Sequence, residues 1–171
     1  MAARILVAGV GNIFLSDDGF GPEVVRRLAV ARPERAEVRI VDYGIRGMHL
    51  AYDLLSAYDA LVLVDAVPGD VRPPGVVSAV EVDIRHLPRG EFDGHGMDPV
   101  AVLTSVESLG GAVPPTYLVC CTPESVEDGI GLTDPVSAVV DDAVALTSRL
   151  LDDLLGEEGG GSPCASAYQA R

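Results

Sequence analysis

The fold is decided by residues 4–28, RILVAGVGNIFLSDDGFGPEVVRRL, which run from an apolar segment through a glycine turn and two adjacent acids into an amphipathic segment. The apolar run at 4–9 predicts a buried β-strand. Pro22 fits the first position of a helix, and the apolar residues between 24 and 29 supply its inward stripe. A strand that leads through a tight turn into a helix is typical of an α/β sheet.

The rest of the chain repeats this alternation of short β-rich runs and helical patterns. Three further runs are apolar enough for buried parallel strands, at residues 37–42, 60–66 and 116–121. A fifth run, at 75–82, follows the third strand too closely for a helical crossover, so it should run antiparallel at an edge of the sheet. We therefore predict an α/β fold: a three-layer α/β/α sandwich whose five-stranded, mostly parallel, twisted sheet has one antiparallel edge strand.

Helix-start signals and chain length together define the domain organisation. Asp-Pro pairs at 98–99 and 134–135 predict helix N-termini, and a weaker pattern predicts a helix over 47–57. With 171 residues the chain is long enough for one domain with a sizeable core and too short for two ordinary ones. We predict a single domain over 1–155 and a disordered, glycine- and serine-rich tail over 156–171.

The formal net charge of −14 arises from 26 acidic residues against 12 basic ones, all of them arginine. A field of that sign repels polyanions, so we expect neither nucleic acid nor an anionic membrane surface as a partner. No apolar run approaches the roughly 20 residues needed to span a bilayer, and the N-terminus lacks the pattern of a secretory signal. These features predict a cytoplasmic protein. Cys120 and Cys121 lie in a predicted strand and Cys164 in the tail, so we expect two core residues and one free thiol.

The glycine turn after the first strand does not fit a phosphate site. A dinucleotide-binding fingerprint needs a third glycine where this chain has Phe14, and the chain contains no lysine for a phosphate-binding loop. Asp17 and Asp18 would in addition repel a phosphate group. The turn therefore fits a role in presenting Asn12 and the acidic pair to a cation.

Polar residues that can bind a metal follow the ends of the predicted strands, where α/β sheets bind their ligands. Asp18 follows the first strand, Asp65 closes the third, and His95 lies between two glycines ahead of a helix. Burying a carboxylate at the end of a strand as apolar as 60–64 is costly unless the group is paired, hydrogen-bonded or metal-bound. Asp18, Asp65 and His95 thus form a candidate oxygen-and-nitrogen metal set with open positions.

The same acids have structural alternatives. Asp65 fits equally a helix cap or a turn ahead of Pro68, and Asp17 and Asp18 fit N-cap and first-turn acids that complement the dipole of the following helix. The three candidate ligands are spaced irregularly and do not form a compact metal motif. The residues alone therefore leave both interpretations open.

Five motifs, in order, resemble those of the hydrogenase maturation proteases, the endopeptidases that trim the C-terminus of the large subunit of nickel-containing hydrogenases. They are GVGNIFLSDDGFGPEVV (9–25), VDYGIRGMHL (41–50), VLVDAV (62–67), HGMDPVAVL (95–103) and PESVEDGIGLT (123–133). The first is similar to the family's G-x-G-N-x-[LF]-x-x-D-[DE]-G-x-G opening. The resemblance runs from about Ile5 to about Leu155 and leaves only the tail uncovered.

The resemblance implies a ligand and a substrate. The family's metal-contacting acids fall on Asp18 and Asp65 and its histidine on His95, and the same three residues would be catalytic. The implied partner is a hydrogenase large-subunit precursor that carries its own nickel, so that an aspartic-type endopeptidase checks for metal insertion before it cuts. The nickel would position the peptide bond, polarise its carbonyl group or activate a water molecule. No organic cofactor is implied, and we expect a monomer.

Three further residues take their roles from the resemblance. Gly11 and Asn12 would shape the loop around the acids, and Asp42 would lie beside the substrate cleft. Tyr43 and Ile45 depart from the small residues that are usual in that segment, which puts the role of Asp42 in question.

Other mechanisms and functions stay open. In a metal-free mechanism, Asp18 and Asp65 would share a proton and activate water, as paired carboxylates do elsewhere. A serine or cysteine mechanism is disfavoured, because the chain has no G-x-S-x-G elbow and Cys120 and Cys121 lie in a strand without a clear basic partner. From other classes, the same side chains would suit a non-catalytic nickel-sensing chaperone, and the glycine turn would suit a nucleotide-binding α/β domain.

Overall fold

β1 (Ile5–Val10) lies inside the sheet and is buried along its whole length, because its residues are all apolar or glycine. In the computed structural model, which describes residues 3–69, 72–83 and 98–156 and the backbone of 168–169, β1 pairs in parallel with β2 (Val38–Gly44) and β3 (Ala60–Ala66). β5 (Thr116–Cys121) continues the parallel sheet beside β3. The carboxyl ends of these four strands therefore meet at one edge, where we predict the site.

β4 (Val77–Val82) pairs antiparallel with β5, and the sheet order is β2-β1-β3-β5-β4-β6. The five predicted strands and their directions are confirmed. Two details were wrong: β6 (Tyr168–Gln169) pairs antiparallel with β4, so β4 is not the outermost strand, and these two residues of the tail predicted to be disordered belong to the sheet. An edge strand presents unpaired backbone groups, which a short extended segment can satisfy.

One face of the sheet is covered by α1 (Phe20–Ala31) and α5 (Val140–Leu155), which pack against strand residues such as Val7 and Val62. The helix predicted to begin at residue 134 is in two parts, because the short α4 (Asp134–Ser137) ends before α5 begins. The apolar stripe predicted for this region is nevertheless buried, as expected for a helix that packs on a sheet.

The other face is covered by α2 (Gly47–Leu54) and α3 (Pro99–Ser108), which pack against Leu6 and Leu61. Successive side chains of a strand point to opposite faces, so the continuous apolar runs of the sequence supply both layers. The three-layer sandwich is therefore confirmed. Within the part of the chain that the structure describes, none of the helices has the length and apolar character needed to cross a membrane.

The cysteines behave as core residues where the structure describes them. Cys120 and Cys121 are both free, and Cys121 is buried. Burial raises the pKa of the Cys121 thiol to about 12, so the reactive thiolate is scarce at neutral pH. Cys164 lies outside the described residues.

The first turn of α1 packs directly on the carboxyl ends of β1 and β3. A Cβ at Gly21 would lie 2.3 Å from the backbone O atoms of both Val10 and Val64. A Cβ at Gly9 would lie 2.4 Å from a side-chain methyl of Val25. Helix and sheet can approach this closely only because both positions are glycine.

α1 begins at Phe20 and not at Pro22, because a single 3₁₀ turn (Ser16–Gly19) leads straight into it. That turn carries both acids of the opening motif and lies above the ends of the two strands. The position of the acids therefore depends on the contact between α1 and the sheet.

We predict that Gly21→Ala destabilises the fold by about 2–3 kcal/mol, because the added methyl group would press on two backbone oxygen atoms. The matched control is Gly19→Ala, whose methyl group would meet Ile13 Cα at 3.4 Å. The control should cost less than about 1 kcal/mol. Urea unfolding measures both free energies, and equal losses would show that α1 does not depend on the contact at Gly21.

Candidate active site

Asp65 is buried at the carboxyl end of β3, with 5 % of its surface exposed. It belongs to the strand, so the alternative of a helix cap or turn residue is wrong. Burial raises the pKa of its carboxyl group well above the ordinary value, the charge of Asp18 raises it further, and a hydrogen bond from the backbone of Ala66 lowers it in part. Asp65 is thus a buried acid whose charged form is disfavoured.

Asp18 lies on the 3₁₀ turn, close enough to Asp65 for its charge to raise the pKa of that residue. Its side chain is half-buried, and its Oδ2 accepts a hydrogen bond from the backbone N of Asn12 at 2.6 Å. Burial raises the pKa of Asp18, and the bond from Asn12 offsets part of that rise. The structure therefore brings together two of the three predicted metal-binding residues, as two carboxyl groups that repel each other.

Gly11 and Asn12 form the turn that holds Asp18. Gly11 has a φ of +136°, a conformation that favours glycine, and a Cβ there would lie 1.8 Å from the backbone O of Asp18. Asn12 closes the turn, since its Oδ1 accepts a hydrogen bond from the backbone N of Phe14 at 3.0 Å. Because the backbone of Asp18 packs into the turn, the glycines serve the chain itself, which argues against the nucleotide-binding alternative.

Asp17 has a different role from its neighbour. It is fully buried, and its Oδ2 accepts hydrogen bonds from the backbone N of Glu124 at 2.8 Å, the backbone N of Ser125 at 3.1 Å and Oγ1 of Thr133 at 2.8 Å. Its Oδ1 accepts a fourth, from the backbone N of Thr133 at 2.7 Å. Burial raises the pKa of Asp17, but the hydrogen bonds outweigh burial and lower it overall. Asp17 therefore does not cap α1; it ties the loop after β5 to the turn.

Asp42 lies at the end of β2, beside the same turn. Its exposed side chain accepts a hydrogen bond through Oδ1 from the backbone N of Gly44 at 2.9 Å. The backbone O of Gly44 in turn accepts from the backbone N of Gly11 at 3.0 Å. Asp42 thus holds the backbone that abuts the glycine turn, and its role beside a substrate cleft stays a prediction.

Tyr43 and Ile45, the two departures from the expected small residues, lie in different surroundings. Tyr43 is 2 % exposed and packs beneath α2, where its hydroxyl donates to Asp53 Oδ2 at 2.5 Å. Burial, followed by the bond to Asp53, raises the pKa of Tyr43, so the hydroxyl stays a donor. Ile45 is 60 % exposed. The first departure therefore fills the core, whereas the second changes the surface.

A cavity of about 440 Å³ lies between the N-terminal ends of α2 and α3. Ile45, Met48 and Val102 supply apolar walls, and Asp98 lines it beside the start of α3. The side chain of Asp98 accepts a hydrogen bond from the backbone N of Val100 at 2.9 Å, which confirms the predicted helix start. The sequence analysis missed this cavity because its walls come from separate elements that no periodic pattern connects.

His95, the third predicted ligand, lies outside the described residues, so its role stays a prediction. Among the residues that the structure does describe, no group of three or more histidine, cysteine or acidic residues is arranged to hold a metal ion. A metal bound by Asp18 and Asp65 therefore requires further ligands, from His95, from the substrate or from both.

Comparison with known families points to one protein class. The family model described as hydrogenase maturation protease matches residues 22–149. The hydrogenase 2 maturation protease of Escherichia coli strain K12 is 32 % identical over 142 residues, which cover 82 % of this chain and 86 % of that protein. The hydrogenase expression/formation protein HupD of Rhizobium leguminosarum bv. viciae is 32 % identical over 157 residues, which cover 88 % of this chain and 75 % of that protein.

Solved structures are similar over most of the chain. The hydrogenase maturating endopeptidase HybD from E. coli matches with a TM-score of 0.77 at 32 % identity, covering 88 % of this chain and 93 % of its own. A hydrogenase 2 maturation peptidase from a Thaumarchaeota archaeon matches with a TM-score of 0.66 at 31 % identity, covering 86 % of this chain and 97 % of its own. The likeness therefore extends to sequence and fold together.

We predict that Asp17→Asn lowers the free energy of unfolding by about 3 kcal/mol at pH 7, because the amide NH₂ would point at a hydrogen-bond donor whichever way it is turned. Asp18→Asn is the matched control, and it should leave stability unchanged or higher because it removes a charge next to Asp65. Urea unfolding at pH 7 measures both variants. A loss below about 1 kcal/mol for Asp17→Asn would contradict its structural role.

We predict that Asp65→Asn raises the melting temperature at pH 7 and that this gain disappears near pH 4. Because the pKa of Asp65 is raised on folding, the unmodified protein loses stability as pH rises from the unfolded value of about 3.9 toward the folded one. Asparagine removes that loss and still accepts the bond from Ala66. The gain should be about 1–2 kcal/mol, and each kcal/mol corresponds to about 2–4 °C.

Scanning calorimetry between pH 4 and pH 8, with a chelator present, measures this gain. A melting temperature of Asp65→Asn that lies below that of the unmodified protein at pH 7 would contradict the burial argument.

Proposed function

Because the chain belongs to the hydrogenase maturation protease family, we propose that it removes the C-terminal peptide of a nickel-loaded hydrogenase large-subunit precursor. Family membership makes the chain a peptidase, and the resemblance carried by the five sequence motifs is confirmed. The proposal adds the substrate, its metal and the residues that act on it.

The observation that carries the proposal is the pair of neighbouring carboxyl groups at the carboxyl edge of the sheet. Asp18 and Asp65 both have raised pKa values, and no arginine of the described residues forms an ion pair with either. A cation bound between them would relieve the repulsion and favour both charged forms. The donor chemistry fits, since carboxylate oxygens with an imidazole nitrogen from His95 suit borderline divalent metals such as nickel.

In the proposed reaction, the nickel arrives with the substrate and marks a precursor that is ready to be cut. Asp18 and Asp65 bind it on the protease side with His95 as a third ligand, and the backbone of Asn12 orients Asp18. Nickel held in this way supplies a Lewis acid that positions or polarises the scissile carbonyl group. A precursor without nickel leaves the two acids unpaired, so it binds more weakly and the protease can reject it.

A metal-free reaction of the same pair is the second candidate, and the raised pKa values of both acids favour it. With one proton shared between Asp18 and Asp65, the ionised group can accept a proton from the attacking water while the protonated group donates to the substrate. The two mechanisms differ at His95, which the metal-free reaction does not need.

We predict that intact-mass analysis finds loss of a C-terminal peptide from the nickel-loaded precursor of the source organism and none from the nickel-free precursor. Asp18→Asn, Asp65→Asn and His95→Ala should each slow cleavage by about 100-fold or more, because each removes a group at the reacting centre. The controls are Asp142→Asn, on the exposed side of α5, and His86→Ala. Both should cleave at the unmodified rate.

The pattern of results separates the alternatives. Cleavage that survives His95→Ala and needs no nickel would favour the metal-free pair. Binding of the precursor without any change in mass would replace the protease with the nickel-sensing chaperone.

A further inference from the structure

Most of the large apolar side chains that are exposed in the described residues lie at the end of the molecule that carries Asp18. They come from the three loops that follow β1, β2 and β5, and together we call them the apolar rim: Ile13, Phe14, Ile45, Met48, Val126 and Ile130. Single exposed apolar residues are normal on a protein surface, whereas a concentration of them marks an interaction site. The rim is therefore a candidate docking surface.

Backbone hydrogen bonds join the three loops to one another. The N of Gly11 donates to the O of Gly44 at 3.0 Å, which connects the loops after β1 and β2. The N of Gly129 donates to the O of Phe14 at 2.9 Å, which connects the loops after β1 and β5. Because the glycine turn also holds Asp18, the rim has a fixed position relative to the acid pair.

One side of the rim borders the cavity of about 440 Å³ between α2 and α3. Ile45 and Met48 belong both to the rim and to the cavity wall, and Val102 extends the apolar lining. Protein interfaces obtain much of their affinity from a few side chains that are anchored in such pockets. The cavity therefore offers an anchor point for an apolar side chain of the partner.

The other side of the rim is acidic. Glu124, Glu127 and Asp128 are exposed beside Val126 and Ile130. Between residues 98 and 148 the sequence contains no arginine, lysine or histidine. A partner with basic side chains would match this surface, whereas a second copy of this chain, with its net charge of −14, would be repelled.

We propose that the apolar rim docks the large-subunit precursor through an apolar patch flanked by basic side chains, next to the region that is cut. The identity of the partner rests on the proposed function. The rim holds the C-terminal segment of the precursor over Asp18 and Asp65. It also gives the protease a protein surface with which to choose one large subunit over another, which contacts to nickel alone do not provide.

The test compares Ile130→Ser with Val30→Ser. Both side chains are aliphatic and almost fully exposed, at 82 % and 83 %, but Val30 lies in the last turn of α1, at the other end of the sheet. Phe14→Ser is the second rim variant. Each substitution is made in the Asp65→Asn protein, so that the nickel-loaded precursor is bound and not cut, and affinity is measured by calorimetry.

We expect Ile130→Ser and Phe14→Ser each to weaken binding about tenfold, and Val30→Ser to change it less than twofold. In the protein with Asp65 intact, the two rim variants should raise KM and leave kcat unchanged. Rim variants that bind as tightly as Val30→Ser would overturn the proposal. So would a dimer of this chain, seen by sedimentation, that Ile130→Ser dissociates.

These readouts separate the docking surface from the proposed function. Rim-dependent binding without any cleavage by the unmodified protein would refute the protease and leave the docking surface in place. Cleavage that does not depend on the rim would refute the docking surface alone.

The charge of the partner is tested by the double variant Glu127→Gln with Asp128→Asn. It should slow association with the precursor about fivefold at low ionic strength and reduce the dependence on salt. The control is Glu107→Gln with Asp142→Asn, which changes the net charge equally on α3 and α5. Equal effects of the two double variants would overturn the assignment of basic side chains to the docked surface.

Discussion

The close contact between the first turn of α1 and the carboxyl ends of β1 and β3 determines most of the site. Gly21 comes so near to the backbone oxygens of Val10 and Val64 that no side chain fits there. Because the helix starts against the strand ends, the preceding 3₁₀ turn has to lie above them, and that turn carries Asp17 and Asp18. The glycines of the opening motif therefore act through backbone packing, and the placement of the acids is its consequence.

The two adjacent acids have opposite environments. Asp17 is buried among donors and its pKa is lowered, so its charge contributes to stability. Asp18 and Asp65 are held near each other and their pKa values are raised, so their charges oppose folding. One acid thus anchors the loop after β5, while the pair stores a repulsion that a cation can relieve. Sites that are assembled for function often carry such a cost in stability.

The surface around the acids follows from the same arrangement of loops. Strands β1, β2 and β5 end at one edge of the sheet, so the loops that follow them surround the acid pair. Their apolar side chains are exposed although the core below is well filled, which is the pattern of a surface that binds another protein. A charged centre within an apolar rim combines a test for a cation with recognition of a folded partner.

The sequence by itself determined the strands, because a buried parallel strand must be apolar along its length, and it identified Asp65 as an acid that interrupts such a run. Its motifs also predicted the family, while the place of His95 stays a prediction. It did not distinguish Asp17 from Asp18, because the donors to Asp17 come from Glu124 and Thr133, 107 and 116 positions away. Only the tertiary structure decided which acid anchors a loop and which one faces Asp65, since that depends on contacts between segments that are far apart in the chain.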